Sequence, residues 1–202
     1  MTESTSTSTV LSDGRPIAAG ESSHLPGDSH MWVMVLGDLV IFGGYFLIYM
    51  VDRAMKPAPF LAAQQHLSIT TGVVNTLVLL TSSLIVARSV YAARSGKYDQ
   101  AIKLTYLGGA FGVLFIAIKA YEWSLELSKG LTVSNGFFSY YYVLTGVHML
   151  HVTLGLIILG VSVRELRAPK RRRTNLVEQG ATYWHMVDLL WVVIFGLLYV
   201  VR

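Results

Sequence analysis

The 202-residue chain contains no cysteine and few charged residues, and both shortages narrow its possible functions. Without cysteine there is no disulfide framework, no thiolate metal site, no iron–sulfur cluster and no cysteine nucleophile. Charged residues make up 14% of the chain, whereas soluble domains carry about 25%. The net charge of +4 is too small and too scattered to indicate nucleic-acid binding. With 53% apolar residues, the composition indicates a membrane protein.

Proline is also missing from every long apolar stretch of the chain. Those stretches cover about 31–51, 69–92, 103–127, 137–163 and 179–201. Each is long enough for a helix to cross a hydrocarbon core of about 30 Å, which takes roughly 20 residues. Backbone groups in lipid must be satisfied within the helix itself. We therefore predict an all-α fold, an integral membrane bundle of five transmembrane helices formed by residues 31–202.

The first 30 residues and the loops predict how the chain is oriented. Residues 1–30 are rich in Ser, Thr and Gly, which predicts a disordered polar cytoplasmic tail. No basic region precedes a short apolar stretch there, so this tail is not a signal peptide. The tail, the second loop and the fourth loop lie on one side of the membrane and together hold eleven basic residues. The opposite side holds four. This bias places the N-terminus in the cytoplasm and the C-terminus outside.

Polar side chains inside the predicted spans are the candidate site residues. A charged group at mid-membrane costs about 2.5–3.5 kcal/mol on insertion scales, so each requires a reason. The residues are Asp38, Asn75, Lys119, Glu122, His148, His151, His185 and Asp188. The last six of these residues form three consecutive pairs, and the two members of each pair are three residues apart, which places them on one helical face. Lys119 and Glu122 are expected to neutralise each other.

Three interpretations of these polar residues are open. The first is interhelical hydrogen bonding that orients the bundle. The second is a proton relay or a metal site formed by His and Asp side chains. The third is a b-type haem held by His148 or His151 together with His185. All three histidines lie near the middle of the membrane, which argues against the haem interpretation.

Other sequence features predict neither a catalytic site nor a transporter. The sequence contains no Gly-rich phosphate loop and no serine nucleophile elbow. Five spans cannot divide into two equal repeats, and no proline breaks them, which disfavours a transporter. Aromatic residues are expected to form a belt at the membrane interface, with contacts to a partner subunit as the alternative. They are Trp32, Tyr183, Trp184 and Trp191.

Five segments, one in each span, resemble motifs of subunit III of the haem–copper oxidases. Residues 36–42, with Asp38, are similar to the first helix that the family shares. The later matches are 75–83 with Asn-Thr-x-x-Leu-Leu-x-Ser-Ser, 119–123 with Gln-x-x-Glu-Tyr, 145–152 with Thr-Gly-x-His-x-x-His-Val, and 183–191 with Tyr-Trp-His-Phe-Val-Asp-x-x-Trp. The order of the five motifs makes the resemblance specific, and it covers about residues 30–202.

The resemblance implies an accessory subunit of a terminal oxidase in a bacterial cytoplasmic membrane. Such a subunit has no catalytic residue, metal or cofactor of its own. Haem and copper belong to the partner catalytic subunit I, which it contacts together with other oxidase subunits. It also binds membrane phospholipid in a cleft, and it supports proton uptake and stability during turnover. The resemblance places Asp38 in or beside that cleft and the other candidate residues, from Glu122 to Asp188, in a buried polar network.

The chain departs from the family pattern at several points. It is the five-helix form, without the two extra N-terminal helices of longer members. Asp38 stands where glutamate is usual, Lys119 where glutamine is usual, and Met186 where phenylalanine is more common. These departures are compatible with an accessory subunit of nitric oxide reductase, which is the alternative within the family. A stand-alone membrane b-type cytochrome is the alternative outside it.

Overall fold

A computed structural model describes residues 29–134, 136–168 and 174–201, with side chains from residue 33 onward. Six α-helices occur in this part of the chain: α1 (Ser29–Met55), α2 (Pro57–Gln64), α3 (Ile69–Arg94), α4 (Tyr98–Ser128), α5 (Gly136–Arg167) and α6 (Thr174–Phe195). A π-helical segment, Gly196–Val200, continues α6. Residues 1–28 of the predicted tail lie outside the described residues, and so does the side chain of Trp32.

Five of the helices are long and apolar enough to cross a membrane. They are α1, α3, α4, α5 and α6 with its π-helical segment, so the all-α prediction with five membrane spans is confirmed. The helices extend beyond most of the predicted spans, because charged residues such as Asp99 and Arg167 continue the helical turns past the apolar core. The chain is therefore a multi-pass membrane protein.

The short helix α2 is a feature that hydropathy did not predict. The first residue of α2 is Pro57. The first N–H of a helix has no partner within the helix, so proline loses no hydrogen bond at this position. The residue before it, Lys56, adopts φ −133° and ψ 62°, outside the α region, as expected before proline. Helix α1 therefore ends at Met55, and α2 starts as a separate element.

Glycines terminate two of the membrane helices. Gly96 follows α3 with φ 73°, and Gly130 follows α4 with φ 77°. This left-handed backbone is costly for other residues and allows the chain to leave a helix and turn back. At the other end of α3, the Ser68 side chain accepts a hydrogen bond from the Thr71 N–H at 3.4 Å, which caps the helix.

Helix α6 is the central element of the bundle. It packs against α1, α3 and α5, and α4 lies beside both α3 and α5. Its residues Trp184, Trp191 and Ile194 are fully buried. By contrast, α1 keeps most of its surface outside the bundle, including Val40 and Leu47. Outward-facing apolar side chains are expected where lipid or another subunit covers the helix.

The end of α6 is held by side chains from α1 and α2. The Gln64 side-chain amide donates hydrogen bonds to the Leu198 carbonyl at 3.0 Å and to the Val201 carbonyl at 2.8 Å. The Tyr49 hydroxyl donates to the Leu197 carbonyl at 3.2 Å. Carbonyls at a helix end have no partner within the helix, so these donors satisfy groups that would otherwise be unpaired. This contact gives α2 a structural role.

Candidate functional site

A buried ion pair forms the centre of the polar network. The Lys119 ammonium donates to Glu122 Oε2 at 2.9 Å, to the Tyr141 hydroxyl at 3.2 Å and to the Tyr199 hydroxyl at 2.6 Å. Tyr199 in turn donates to Glu122 Oε1 at 2.6 Å. Lysine has three N–H donors, and all three are used. The cluster joins α4, α5 and the π-helical segment.

Aromatic rings surround the Lys119 ammonium on several sides. Its nitrogen lies 4.7 Å from the centre of the Tyr141 ring and 5.1 Å from those of Trp191 and Tyr199. Rings at these distances stabilise a cation through their quadrupoles, more strongly where water is excluded. The Lys119 side chain has no solvent exposure. The ion pair expected from the three-residue spacing is therefore formed, and it lies inside the bundle.

A row of hydrogen bonds connects α3 to α6. His185 Nδ1 lies 2.6 Å from the Ser83 hydroxyl oxygen. The Trp184 indole N–H donates to the Ser82 hydroxyl at 3.1 Å, and the Trp191 indole N–H donates to the Thr76 hydroxyl at 3.0 Å. Hydrogen bonds between membrane helices contribute about 0.6 kcal/mol each on average. The row therefore fixes the rotation of α6 against α3.

Three of the predicted polar residues have buried side-chain atoms without a hydrogen-bond partner among the described residues. These atoms are the oxygen and the nitrogen of the Asn75 amide, both ring nitrogens of His148 and Oδ1 of Asp188. The His148 ring instead contacts Phe115 and Trp191, with ring centres 5.6 and 5.2 Å apart. These contacts place His148 in the aromatic core.

Asp38 and His151 form a second polar contact, between α1 and α5. His151 Nε2 lies 3.4 Å from Asp38 Oδ2, and His151 Nδ1 lies 2.8 Å from the Val147 carbonyl oxygen. A carbonyl can only accept, so Nδ1 carries a proton. The contact between Nε2 and the Asp38 carboxylate joins α5 to α1.

An apolar cavity of about 280 Å³, including its open mouth, lies between α1 and α5 near this pair. Its lining includes Phe42, Tyr45 and Val147. Phe42 packs edge-on against the His151 ring, with ring centres 5.4 Å apart. Val147 supplies the carbonyl that His151 contacts. The Asp38–His151 pair thus borders a space with the character of hydrocarbon.

Three of the four aromatic residues expected in an interfacial belt are buried inside the bundle. Tyr183, Trp184 and Trp191 are each at most 2% exposed. They face the interior of the bundle because α6 packs against α1, α3 and α5 and has little surface left for lipid. The fourth, Trp32, has its side chain outside the described part of the structure.

Several members of the network were not singled out as site residues from the sequence. Tyr141 and Tyr199 complete the Lys119 cluster, and Ser83 pairs with His185. Glu126 is a further buried carboxylate, bonded to Lys129 at 2.9 Å. Its spacing of four residues from Glu122 was a usable signal, since it places both on one face of α4. The tyrosines gave no such signal, because their partners lie on other helices.

The described residues offer no metal centre. Within residues 29–134, 136–168 and 174–201, no group of three or more His, Asp and Glu side chains could hold a metal ion. His185 contacts Ser83, His151 faces Asp38 and His148 lies among aromatic rings. The polar contacts connect helices instead. His151 connects α5 to α1, His185 connects α6 to α3, and Glu122 connects α4 to the π-helical segment.

The geometry defines a multi-pass helical membrane protein with a buried network of polar side chains. The family model for cytochrome c oxidase subunit III matches residues 28–201. The chain therefore belongs to the cytochrome c oxidase subunit III family.

Individual relatives agree with this family. The chain is 35% identical to cytochrome c oxidase subunit 3 of Synechocystis over 88% of this chain and 82% of that protein. It is 32% identical to cytochrome c oxidase subunit 3 of Thermostichus vulcanus over 95% of this chain and 96% of that protein. It is also 31% identical to a protein of Aeropyrum pernix named heme-copper oxidase subunit I+III, over 86% of this chain and 22% of that protein.

Proposed function

We propose that the chain is a non-catalytic subunit of a haem–copper terminal oxidase in a bacterial cytoplasmic membrane. It stabilises the catalytic subunit, binds phospholipid and supports proton uptake in aerobic respiratory electron transport. The match to the subunit III family along residues 28–201 carries this proposal. Haem and copper are assigned to the partner subunit I, and this chain supplies a scaffold.

Contact with subunit I is supported by the relative named subunit I+III, in which this chain aligns with 22% of the length. A single protein with that name places both subunits in one chain. The outward-facing apolar residues of α1, such as Val40 and Leu47, offer a surface that a subunit or lipid would cover. The other oxidase subunits are proposed as partners on the same grounds.

The lipid and proton roles are assigned to the region around Asp38. Its cavity, lined by Phe42, Tyr45 and Val147, suits an acyl chain because the lining is apolar. The carboxylate of Asp38 and the imidazole of His151, 3.4 Å apart at the edge of that cavity, are the proton-carrying groups of this proposal. The other network residues orient the helices, since Lys119, Glu122 and His185 each have their partners on a neighbouring element.

The first experiment is affinity purification of the tagged full chain from mild-detergent membranes, with mass spectrometry and an optical spectrum. Co-purification of a haem–copper oxidase catalytic subunit, with haem assigned to it, is the expected result. Co-purification of a nitric oxide reductase subunit would redirect the proposal to that complex. A lone chain that itself carries a Soret band would replace it with a cytochrome.

The second experiment tests Asp38 in the purified complex. Asp38→Asn replaces the carboxylate that faces His151 with an amide, and we expect faster loss of activity during turnover, loss of bound phospholipid, or both. Asp99→Asn is the control, because this exposed acid in the first turn of α4 makes the same chemical change away from the cavity. If Asp38→Asn matches the wild type in both measurements, the assigned role of Asp38 is wrong.

A further inference from the structure

A basic pocket lies between the end of α3 and the start of α4. It has a volume of about 690 Å³ including its open mouth. Arg88 and Lys97 line it, together with Tyr91, Ala92, Gln100 and Leu104. It is separate from the cavity beside Asp38, which lies between α1 and α5.

Both cations of this pocket are available to a ligand. The Arg88 and Lys97 side chains are exposed, and neither is paired with a carboxylate in the part of the chain that the structure describes. The neighbouring Arg94 differs, because its guanidinium bonds Glu178 at 2.7 Å. Asp99 is in the first turn of α4 but does not line the pocket. The lining therefore carries two positive charges and no carboxylate.

Further donors lie beside these charges. Gln100 supplies a side-chain amide, and Lys97 is the N-cap residue of α4. The N–H groups of a first helical turn lack intrahelical partners, and the helix dipole adds partial positive charge there. The Ser95 hydroxyl, also in the lining, is already donating to the Tyr91 carbonyl at 2.9 Å. Guanidinium, ammonium and amide donors together match the oxygens of a phosphate group.

The height of the pocket along the helices favours an amphiphilic ligand. Arg88 lies six residues before the end of α3 at Arg94, which is about 9 Å along the helix axis. Ala92 and Leu104 add apolar surface to the same lining. A pocket with cations at one level and apolar side chains beside them fits a headgroup at the boundary between the hydrocarbon core and water.

We propose that this pocket binds a phosphate-bearing anion through Arg88 and Lys97, with Gln100 as an additional donor. Two sources share this chemistry: the headgroup of an anionic phospholipid, and soluble phosphate. The proposal requires only that the chain lies in a membrane, and it does not depend on which respiratory complex contains it.

Three variants of the full chain, purified with its co-purifying subunits, test the pocket. Arg88→Ala/Lys97→Ala removes both cations. Gln100→Glu places a carboxylate in the lining with little change of shape, and an acidic residue in a first helical turn is favourable for folding. Arg164→Ala/Arg167→Ala is the control, because it removes two exposed basic residues from the end of α5, outside the pocket.

The readout is native mass spectrometry of each protein titrated with phosphatidylglycerol, with phosphatidylcholine, and with inorganic phosphate as a competitor. We expect the concentration of phosphatidylglycerol for half-occupancy to rise about thirtyfold in Arg88→Ala/Lys97→Ala, since two basic contacts are lost. Gln100→Glu should raise it as well, and the control pair should leave it near the wild-type value. Phosphatidylcholine should bind all four proteins alike.

The competitor separates the two sources. Phosphatidylglycerol binding that inorganic phosphate does not displace supports a lipid headgroup in the pocket. Binding of inorganic phosphate that depends on Arg88 and Lys97, without any preference for phosphatidylglycerol, supports a soluble anion. The proposal would be overturned if phosphatidylglycerol and inorganic phosphate each bound equally to the wild type, the double variant and Gln100→Glu.

Discussion

Lys119 and Glu122 form an ion pair of 2.9 Å in which the lysine side chain has no solvent exposure and the glutamate 5%. The two residues are three apart on α4, and Tyr199 from the end of the chain bonds to both of them. Separating two charges from water is costly, and the cost is repaid only where hydrogen bonds are complete. The tyrosine hydroxyls supply the remaining bonds in this cluster.

Removing the negative charge should therefore destabilise the protein strongly. Glu122→Gln leaves a buried ammonium without its counter-ion, and breaking such pairs costs about 3–5 kcal/mol. Thermal unfolding of the detergent-purified chain measures the loss. The double variant Lys119→Met/Glu122→Gln should be more stable than Glu122→Gln, because no unpaired charge remains. A double variant less stable than the single one would contradict this account.

The Tyr199 hydroxyl should contribute measurably to stability by itself. Tyr199→Phe removes the group that accepts from Lys119 and donates to Glu122, each at 2.6 Å. Leaving buried polar groups unsatisfied costs about 1–3 kcal/mol, more for charged ones. Tyr121→Phe is the matched control, because Tyr121 is 65% exposed on the same helix as Lys119. Equal unfolding temperatures for the two variants would show that the hydroxyl is not needed.

Close packing around Trp184 should make Gly112 intolerant of any side chain. A Cβ atom at Gly112 would lie 2.6 Å from the Trp184 ring. Overpacking of this kind typically costs about 1–3 kcal/mol. We expect Gly112→Ala to lower the unfolding temperature, whereas Gly43→Ala should not, because no atom of the described residues lies within 4 Å of its new Cβ. Gly112→Ala at wild-type stability would mean that the Trp184 ring can move aside.

The absence of cysteine allows a direct test of the proposed orientation. Ser95→Cys lies between α3 and α4, and Ser134→Cys lies between α4 and α5. A membrane-impermeant maleimide applied to intact cells should label the Cys variant at 134 and leave the one at 95 unlabelled until the membrane is permeabilised. The reverse labelling pattern would place the N-terminus outside the cytoplasm.

Hydropathy predicted the membrane helices well, because a membrane imposes a length and an apolar composition on each span. It did not predict α2, since eight residues around two prolines carry no such signal. The three-residue spacing of Lys119 and Glu122 predicted their contact, as both lie on one helix. The same reasoning could not find Tyr141 or Tyr199, which are 22 and 80 residues from Lys119 along the chain.

The aromatic residues show the limit of sequence reasoning most clearly. Tyr183 and Trp184 lie near the end of a span, where rings are typical of the membrane interface. They are buried instead, because Gly112 and Gly155 leave room for the Trp184 ring between α4, α5 and α6. Burial in a bundle depends on which helix occupies the centre, and apolar residues occur on all faces of these helices.

The number of spans, their helical form and the family follow from the amino-acid sequence, through the length of the apolar stretches and five ordered motifs. Which polar groups meet depends on the three-dimensional packing of the helices. Tyr199 reaches Lys119, Ser83 reaches His185 and Asp38 reaches His151 across different helices. Helix periodicity relates residues within one helix, whereas contacts between helices depend on how α6 packs against its neighbours.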